Sequence, residues 1–322
     1  MHKIFLKNNN FFYCESGETI INAALKNNIF LDHSCLSGRC SSCKYKVIKG
    51  ESLASEQEVS LSAYDIDQNF ILTCVRNPLT DIYLDAEDFS YYGLKQPKMV
   101  TSKVSSFEKV TDSILKVNLR LPPGQNLDFI EGQYVDIFKG SVKRSYSIAS
   151  STSNQNLEFF IKNYEGGTMS NYWFNELAIN DLLRIEGAKG TFFLRDNIDK
   201  ESLIFVATGT GIAPIKSIVE SESFDRKTKS FKNIYIIWGM KTKTDIFWNP
   251  ENHRINFIPV FSRDSIKKQY VQDVIVKLGL SVKDAVAYVC GSEAMILEVK
   301  SSLSRLGLLE SDFYSDSFVQ SN

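Results

Sequence analysis

The stretch CLSGRCSSC, which runs from Cys35 to Cys43, carries three cysteines at the spacing C-x4-C-x2-C. A fourth cysteine, Cys74, stands further along the chain. Three cysteines in one loop, Cys35, Cys40 and Cys43, followed by a distant fourth have the ligand spacing of a plant-type [2Fe–2S] cluster. Such a cluster passes one electron at a time, so the stretch predicts that the protein has a place on an electron path.

Two other uses of four cysteines fit the sequence less well. Structural zinc sites usually come as two short C-x2-4-C pairs, whereas three of these cysteines crowd one loop. Disulfides are disfavoured because the N-terminal MHKIFLKNNN lacks the apolar stretch of a secretion signal, and a cytosol keeps thiols reduced. Gly38, with the small Ser41 and Ser42, also lets backbone N–H groups turn toward the sulfurs. We therefore expect an iron-sulfur cluster.

Length and composition narrow the classes of protein. A chain of 322 residues suits two or three domains, and its 43% hydrophobic and 23% charged residues are typical of globular proteins. No apolar run approaches the roughly 18 residues of a transmembrane helix. The formal net charge of -1, with dispersed Lys and Arg, provides no basic field for nucleic acid. We expect a cytoplasmic protein with neither a membrane nor a nucleic-acid partner.

The N-terminal segment combines alternating runs with one helical stretch. Thr19 to Asn28 has helical periodicity, and Thr19 is a candidate cap. The runs KYKVIKG and FILTCVRN predict strands, of which the second spans Phe70 to Asn77 and holds Cys74 near its end.

The pattern changes twice in the rest of the chain. From Met99 to about Asp196, short β-type runs alternate with turns and one helix interrupts them, from Thr168 or Ser170 to Leu177, which predicts a small barrel or sandwich. Later on, strands and helices alternate, which predicts a parallel α/β sheet. The predicted divisions are a ferredoxin domain at 1–90, a linker at 91–98, a β-barrel at 99–198 and a nucleotide-type α/β domain at 199–322.

Glycines follow two predicted strands of the C-terminal part. FVATGTGIAP covers Phe205 to Pro214, and YVCGSEAMI, from Tyr288 to Ile296, presents Cys290 and Gly291. Backbone N–H groups at such strand-to-helix turns can meet phosphate, and open α/β sheets bind ligands at strand carboxyl ends. A tight turn without a ligand is the alternative for the first motif. Cys290 is expected to pack or line a pocket, not to act as a nucleophile.

Two motifs mark the predicted barrel. RSYSIAS, from Arg144 to Ser150, alternates so that Arg144 and Tyr146 share one face. GGTMS, from Gly166 to Ser170, places two glycines before a helix start, where backbone N–H groups can meet an anion. An exposed barrel strand with a polar rim is the alternative for the first motif.

Taken in order, R-x-Y-S, G-G-x-x-S, G-T-G-x-A-P and C-G-x-x-x-M resemble the ferredoxin–NADP⁺ reductase superfamily, with a plant-type ferredoxin fused in front. The resemblance covers essentially the whole chain. It implies an α+β and α/β multidomain fold with an N-terminal β-grasp domain, an antiparallel β-barrel for FAD and a C-terminal parallel α/β domain for NAD(P)H. A nicotinamide gives up two electrons as a hydride and the cluster takes one, so a flavin must stand between them.

The resemblance also implies roles for individual residues. Arg144 would bind flavin phosphate, Tyr146 would pack on the isoalloxazine, and Ser147 would bond near its reactive nitrogen. Tyr146, Ser147 and Cys290, the last beside the nicotinamide, are the expected catalytic residues. Phe318 would cover the flavin, or it would close the core. The remaining implied contacts are Gly167, Thr168, Met169 and Ser170 for the flavin pyrophosphate, and Gly209, Thr210, Gly211 and Gly291 for the nicotinamide nucleotide.

The choice between NADH and NADPH depends on the loop FSRDSIKKQY. It resembles the segment that holds the 2′-phosphate in NADPH-using reductases, with Arg263 as a bidentate ligand and Lys267 or Lys268 as added charge. Against this, Asp245 can accept a ribose hydroxyl, which would favour NADH. A solvated basic loop is the third interpretation. The balance leans to NADPH.

The stretches LLRIEGAKGTFF, GTGIAPIKSIVE and CGSEAMI and the tail FYSDSFV resemble one branch of the superfamily. That branch supplies electrons for removal of a sugar 3-hydroxyl in 3,6-dideoxyhexose biosynthesis. The resemblance implies an acceptor protein, a pyridoxamine-phosphate (PMP)-dependent CDP-4-keto-6-deoxyglucose 3-dehydrase with its own iron-sulfur cluster. Reductases of ring-hydroxylating dioxygenases and monooxygenases share the module order, so an oxygenase is the alternative acceptor. A non-catalytic redox sensor is the third hypothesis.

Overall fold

The computed structural model describes residues 1–7, 10–263, 268–280 and 282–318. The chain divides into two compact units, Met1–Gln96 and Pro97–Asn322. The division falls inside the segment 91–98, while the other predicted domain boundaries stay predictions. Within the described residues, none of the helices combines the length and the apolar character that a membrane crossing requires.

The N-terminal unit is a mixed sheet with a helix packed against it, the β-grasp arrangement that the resemblance implies. Its elements are β1 (His2–Phe5), β2 (Phe11–Cys14), α1 (Ile20–Lys26), β3 (Lys44–Lys49), β4 (Ser52–Ala54), α2 (Ala63–Asp67), β5 (Phe70–Leu72), β6 (Arg76–Pro78) and β7 (Ile82–Leu84). The main sheet has the strand order β2-β1-β7-β3-β5, with β1 parallel to β7 and antiparallel to β2. Strand β4 pairs with β6. Helix α1 begins after Thr19, the predicted cap, whose hydroxyl accepts from the Asn22 N–H, and it buries Ile20 and Ile21 in the core of this unit.

The prediction of a single strand from Phe70 to Asn77 is wrong. The chain forms two short strands there, β5 and β6, and the turn between them contains Thr73 and Cys74. The N–H and the hydroxyl of Thr73 both donate to the carbonyl oxygen of Cys43, at 3.1 and 3.2 Å. These long-range bonds bend the chain and bring the fourth cysteine back to the cysteine loop.

The second unit begins with six antiparallel strands. Its elements are β8 (Lys98–Thr111), β9 (Ile114–Arg120), β10 (Tyr134–Lys139), β11 (Val142–Ser147), β12 (Leu157–Lys162), α3 (Thr168–Asn171), a π-helical turn (Tyr172–Glu176) and β13 (Leu182–Lys189). The strand order is β11-β10-β13-β8-β9-β12. The Ala149 N–H donates to the carbonyl oxygen of Glu158 at 2.8 Å and so links the two ends of the sheet. The antiparallel barrel is therefore confirmed, with a helix where the sequence predicts one.

A parallel α/β sheet follows the barrel in the same unit. Its elements are β14 (Ser202–Thr208), α4 (Ile212–Val219), α5 (Phe224–Lys227), β15 (Asn233–Met240), β16 (Ile255–Phe261), α6 (Val271–Lys277), β17 (Ala285–Gly291), α7 (Glu293–Arg305) and β18 (Phe313–Ser317). All strand pairs are parallel in the order β16-β15-β14-β17-β18. Because β14 lies beside β17, with Ala207 opposite Cys290, the two glycine motifs end at the same edge of the sheet.

One hydrophobic core joins the barrel to the α/β sheet. Barrel residues such as Phe160 and Phe192 pack in the same buried cluster as Phe205 of β14, Ile215 of α4 and Tyr288 of β17. The two predicted domains of this unit therefore share one packed apolar core. This core holds the barrel, with its motifs, against the α/β sheet.

Candidate cofactor and electron-transfer sites

The cysteine loop between α1 and β3 is a tightly turned segment. Leu36, Gly38 and Ser41 all have left-handed backbone angles, with φ values of 53°, 74° and 59°. A Cβ added at Gly38 would lie 2.2 Å from the carbonyl oxygen of Gln57, so no larger residue fits there. This backbone turns successive N–H groups toward the sulfurs, and the Ser37 N–H donates to Cys35 Sγ at 3.4 Å.

The loop is held in place by a serine that the sequence did not single out. The Ser60 hydroxyl donates to the carbonyl oxygen of Gly38 at 3.1 Å and accepts from the Ser41 hydroxyl at 2.9 Å. Ser41 therefore contributes a direct side-chain tether in addition to its small size. Nothing in the sequence marks Ser60, because its two partners lie about 20 residues away along the chain.

The four cysteines come together as two pairs. The Sγ atoms of Cys43 and Cys74 lie 3.1 Å apart, and the Cys35 N–H donates to Cys40 Sγ at 3.5 Å. Among the described residues, no group of three or more His, Cys, Asp or Glu side chains is arranged to hold a metal ion. A [2Fe–2S] cluster, however, takes two ligands at each of its two irons. The paired thiols fit that requirement better than they fit a single zinc ion.

Within each pair the two thiols differ in acidity. The pKa of Cys35 is lowered to about 5, chiefly because the Cys40 thiol donates a hydrogen bond to it. The Cys43 thiol lowers the pKa of Cys74 in the same way, and the pKa of each donating thiol is raised. Because cysteines ligate metal as thiolates, a metal cation between the sulfurs would take the place of the donated proton.

The strand β11 presents the residues expected at the flavin. Arg144 and Tyr146 are half-buried and Ser147 is buried at the end of the strand. The Tyr146 hydroxyl accepts a hydrogen bond from Trp173 Nε1 at 2.8 Å, and the two rings meet edge to face. Burial raises the pKa of Tyr146 to about 12, although the bond from Trp173 and the charge of Arg144 oppose the rise. Tyr146 is therefore a neutral ring in a defined orientation, and Trp173 is a residue that the sequence analysis missed.

The GGTMS motif forms the turn into α3. The Ser170 hydroxyl accepts from the Tyr164 N–H at 2.9 Å, and a Cβ at Gly167 would lie 3.1 Å from the carbonyl oxygen of Tyr164. Met169 is buried in the barrel core, so its side chain is not available to a ligand, whereas Thr168 is exposed. The first N–H groups of a helix have no partner within it. An anion at this turn would therefore meet backbone N–H groups and Thr168, with Ser170 holding the turn.

The glycines at the strand ends allow a close backbone approach. A Cβ at Gly211 would lie 2.3 Å from the carbonyl oxygen of Cys290, and one at Gly291 would lie 2.5 Å from Thr208 Oγ1. Space is open around Gly209, which has a φ of 52° and whose carbonyl oxygen accepts from Trp238 Nε1 at 2.9 Å. The two motifs therefore form one cradle, and Gly209 faces the open side.

Cys290 lies beneath this cradle and is fully buried. Burial, and secondarily the charge of Asp316, raises the pKa of Cys290 well above its usual range, with Sγ 4.0 Å from Asp316 Oδ2. A protonated, buried thiol is not a nucleophile, and its place beside the nicotinamide stays a prediction. The tail lies against this strand end: the Phe318 N–H donates to the carbonyl oxygen of Gly291 at 2.8 Å, and Phe318 packs partly buried against the shared core. The aromatics mark the tail in the sequence, whereas no sequence pattern marks Asp316.

The residues expected to choose the nucleotide lie in the segments that follow β15 and β16. Arg263 is exposed and its N–H donates to the carbonyl oxygen of Lys241 at 2.8 Å, while Lys267 lies outside the described residues and Lys268 is exposed. The carboxylate of Asp245 accepts from both the N–H and the hydroxyl of Thr242 at 2.9 Å, so one of its oxygens caps a turn.

A further cation, Lys162, lies near Lys241. The side chain of Lys162, at the end of β12, is half-buried, and burial followed by the charge of Lys241 lowers its pKa. An anion beside Lys162 would stabilise its charged form. Its run, LEFFIKN, is predicted only as a strand, so this candidate site residue emerges from the structure.

Three family models match successive parts of the chain. They are a 2Fe-2S iron-sulfur cluster binding domain at residues 5–79, an oxidoreductase FAD-binding domain at 101–194 and an oxidoreductase NAD-binding domain at 205–301. These matches confirm the expected [2Fe–2S], FAD and NAD(P) cofactor classes in the expected order.

Two curated relatives and one solved structure align along the chain. The chain is 35% identical to the CDP-6-deoxy-L-threo-D-glycero-4-hexulose-3-dehydrase reductase of Yersinia pseudotuberculosis serotype I (strain IP32953), over 96% of each chain. It is 26% identical to the ferredoxin–NAD(P)(+) reductase component of the naphthalene 1,2-dioxygenase/salicylate 5-hydroxylase systems of Ralstonia sp, over 95% of each chain. The crystal structure of Amycolatopsis cytochrome P450 reductase GcoB has the same fold, with a TM-score of 0.77 and 24% identity over 99% of each chain.

The identity to the Yersinia reductase extends through all three matched domains, and their order is the one that the motifs predict. The chain is an oxidoreductase and belongs to the ferredoxin–NADP⁺ reductase superfamily, in the group that carries an N-terminal [2Fe–2S] ferredoxin domain.

Proposed function

We propose that this chain is an NAD(P)H-dependent reductase that delivers electrons to a PMP-dependent CDP-4-keto-6-deoxyglucose 3-dehydrase in 3,6-dideoxyhexose biosynthesis. The observation that carries the acceptor is the 35% identity, over 96% of the chain, to a reductase named for that dehydrase. The proposed electron path is supported by the position of the two glycine motifs. Both follow neighbouring strands at the same edge of the parallel sheet, in the same compact unit as β11. We place the protein in the cytoplasm, where thiols stay reduced and can ligate a cluster.

In this proposal each group of residues has a separate task. Cys35, Cys40, Cys43 and Cys74 hold the cluster, which carries single electrons when bound. FAD, when bound, accepts a hydride and releases electrons one at a time. Arg144 supplies positive charge for the flavin phosphate, Tyr146 offers the face of a neutral ring, and Ser147 offers a hydroxyl. The turn at Gly167 to Ser170 meets the pyrophosphate with backbone N–H groups.

The nucleotide is proposed to bind at the cradle formed by Gly209 to Gly211 with Gly291. Phe318 would lie over the flavin beside this cradle, and Cys290 would present its thiol from below. We propose NADPH as the preferred donor, because Arg263 is exposed while one oxygen of Asp245 is engaged in capping a turn. The module boundaries 1–90, 91–98, 99–198 and 199–322 form part of the same proposal.

An oxygenase component is the second candidate acceptor, because a dioxygenase reductase aligns over 95% of the chain at 26% identity. That lower identity favours the dehydrase. The residues of this chain do the same work in either case, so the difference lies in the protein that approaches the cysteine loop.

The test is a reconstituted turnover. The purified chain, loaded with FAD and iron-sulfur cluster, is mixed with NADPH or NADH, a candidate dehydrase and CDP-4-keto-6-deoxyglucose, and the 3-deoxy product is measured. A terminal dioxygenase with its aromatic substrate serves as the parallel acceptor. The proposal is supported if product forms with the dehydrase as acceptor and not with the oxygenase. The assigned acceptor is overturned if product forms only with the oxygenase. If the chain catalyses the reduction of neither ferricyanide nor cytochrome c by NAD(P)H, the redox-sensor hypothesis is favoured instead.

A further inference from the structure

Helix α4 is bonded to the segment that directly follows the proposed flavin strand. Lys216 Nζ donates to the carbonyl oxygen of Ala149 at 3.2 Å and forms an ion pair with Glu158 Oε1 at 3.0 Å. It also pairs with Glu220 Oε2, one turn further along, at 2.5 Å. The Ser217 hydroxyl donates to the carbonyl oxygen of Ser150 at 2.6 Å. Lys216 is only 8% exposed, and Ser217 is fully buried. These contacts form a polar clamp inside the unit, made by Lys216 and Ser217 on α4.

Both ends of the clamp adjoin a proposed binding site. Ala149 comes two residues after Ser147, where β11 ends. Helix α4 begins at Ile212, immediately after the turn Gly209–Gly211. A shift of α4 against the barrel would therefore change the separation between the flavin strand and the nucleotide cradle.

Apolar packing also joins the two parts, but it does not specify their register as sharply. Ile218 of α4 packs close to Gly132 of the barrel, and both parts share one buried hydrophobic cluster. The hydrophobic effect has no direction, whereas a hydrogen bond weakens steeply when its angle or length changes. Glu220 directly follows α4 and moves with Lys216. Sliding would still separate the buried ammonium from Ala149 and Glu158 of the barrel, and a lost partner is costly in the interior. Sliding of α4 would therefore break the directional bonds that Lys216 and Ser217 make to the barrel.

We infer that Lys216 and Ser217 are positioning residues for hydride transfer, which hold the nucleotide cradle at a fixed separation from the flavin strand. This inference rests on the proposed flavin and nicotinamide sites. Neither residue touches the reacting atoms in this scheme. A misplacement of about 1 Å can lower a rate by roughly a hundredfold, so a small shift of α4 is enough to matter.

The central variant is Lys216→Met, which is one atom shorter, keeps an unbranched apolar stem and removes the charge. Lys216→Arg restores the charge, and Ser217→Ala removes a single hydroxyl. Lys232→Met is the matched control, because Lys232 is exposed and its ion pair is with Glu201 at the surface. Each holoprotein is mixed rapidly with the nucleotide that the wild type uses, and the limiting rate of flavin reduction, the KM and the FAD content are measured.

We expect Lys216→Met to lower the limiting rate by about tenfold to a hundredfold while KM and FAD content stay unchanged. The isotope effect with nucleotide deuterated at the transferred position should rise, because hydride transfer becomes slower relative to binding and release. Lys216→Arg should recover most of the rate, and Lys232→Met should equal the wild type. Ser217→Ala should show the same pattern with a smaller loss, and it decides the question if Lys216→Met does not fold.

A second readout needs no cofactor. Hydrogen exchange of the apoprotein should become faster at Ala149, Ser150 and the Gly209–Gly211 turn in Lys216→Met, with no change in α7. A folded Lys216→Met protein with wild-type rate and exchange would overturn the inference, and so would a loss of rate that follows loss of FAD. If the wild type is reduced by neither nucleotide, the proposed function fails, and the exchange comparison still tests the clamp.

Discussion

The sulfur atoms of Cys43 and Cys74 lie 3.1 Å apart although 31 residues separate them along the chain. The turn between β5 and β6 produces this approach, because Thr73 bonds twice to the carbonyl oxygen of Cys43. The partner pair of Cys35 and Cys40 forms within the loop itself. The arrangement offers two thiols to each of two irons, and it leads to a prediction about the loop.

Replacing Cys40 by Ser removes one of these ligands. We expect the variant to lose the visible absorbance of the cluster and the reduction of the partner protein, because a hydroxyl is a poor substitute for a thiolate ligand. Reduction of flavin by NAD(P)H should persist, since Cys40 lies in the unit Met1–Gln96 and the flavin strand lies in the other unit. Absorbance spectra and stopped-flow flavin reduction measure the two properties.

The matched control for this prediction is Cys14→Ser. Cys14 is buried at the end of β2, outside the C-x4-C-x2-C loop, and its thiol lies 3.5 Å from the carbonyl oxygen of Glu18. Its variant should retain the cluster. Simultaneous loss of the cluster and of flavin reduction in Cys40→Ser would contradict the modular scheme.

Nucleotide choice is tested by Arg263→Ala. A hydrogen bond to a charged group contributes about 1.5–3 kcal/mol, so the KM for NADPH should rise by roughly tenfold to a hundredfold. The KM for NADH, which lacks the 2′-phosphate, should change little. Steady-state kinetics with both nucleotides measure this, and Arg120→Ala, an exposed arginine on the barrel, is the control. Equal effects on the two nucleotides would remove the phosphate role of Arg263.

The tail is tested by Phe318→Ser. Its backbone bond to Gly291 places Phe318 beside the nucleotide cradle, and the ring packs against the shared core. If the ring covers the flavin, its loss should alter the flavin absorbance spectrum and the kinetics with nicotinamide nucleotide. Phe107→Ser, at an exposed aromatic on β8, should alter neither. An unchanged spectrum together with unchanged kinetics in Phe318→Ser would leave the ring a purely structural role.

The pH dependence of stability reports on Tyr146. Burial raises the pKa of Tyr146 from 10.0 to about 12, against the opposing effect of Trp173. Between these values the unfolded chain has released the phenolic proton and the folded chain retains it. The folded state then binds more protons, so the free energy of unfolding falls as pH rises, by about 1.4 kcal/mol per pH unit.

Tyr146→Phe removes this contribution, so the stability of the wild type should fall more steeply than that of the variant across the same window. At neutral pH the variant should be less stable by about 1–3 kcal/mol, because Trp173 Nε1 loses its acceptor. Urea unfolding at several pH values measures both effects. Parallel slopes for the two proteins would show that the phenol does not titrate there.

Local patterns in the sequence predict much of the fold. Helix α1 begins at the predicted cap Thr19 because capping and helical periodicity depend on neighbouring residues. The apolar run that precedes GTGIAP is predicted as a strand, and the structure forms β14 there with nearly all of its residues buried. By contrast, β8 was not predicted: only Ser102 and Val104 are buried in its 14 residues, so its alternation is weak.

The sequence by itself determined the cysteine spacing, the glycine motifs and their order, and these were enough for the family and the cofactor classes. Each depends on residues near one another in the chain, where steric and capping rules operate. Only the tertiary structure decided the partners of those motifs: Trp173 against Tyr146, Asp316 beside Cys290, and Lys216 against Ala149. These pairs join residues far apart in sequence, and packing of the complete core brings them together.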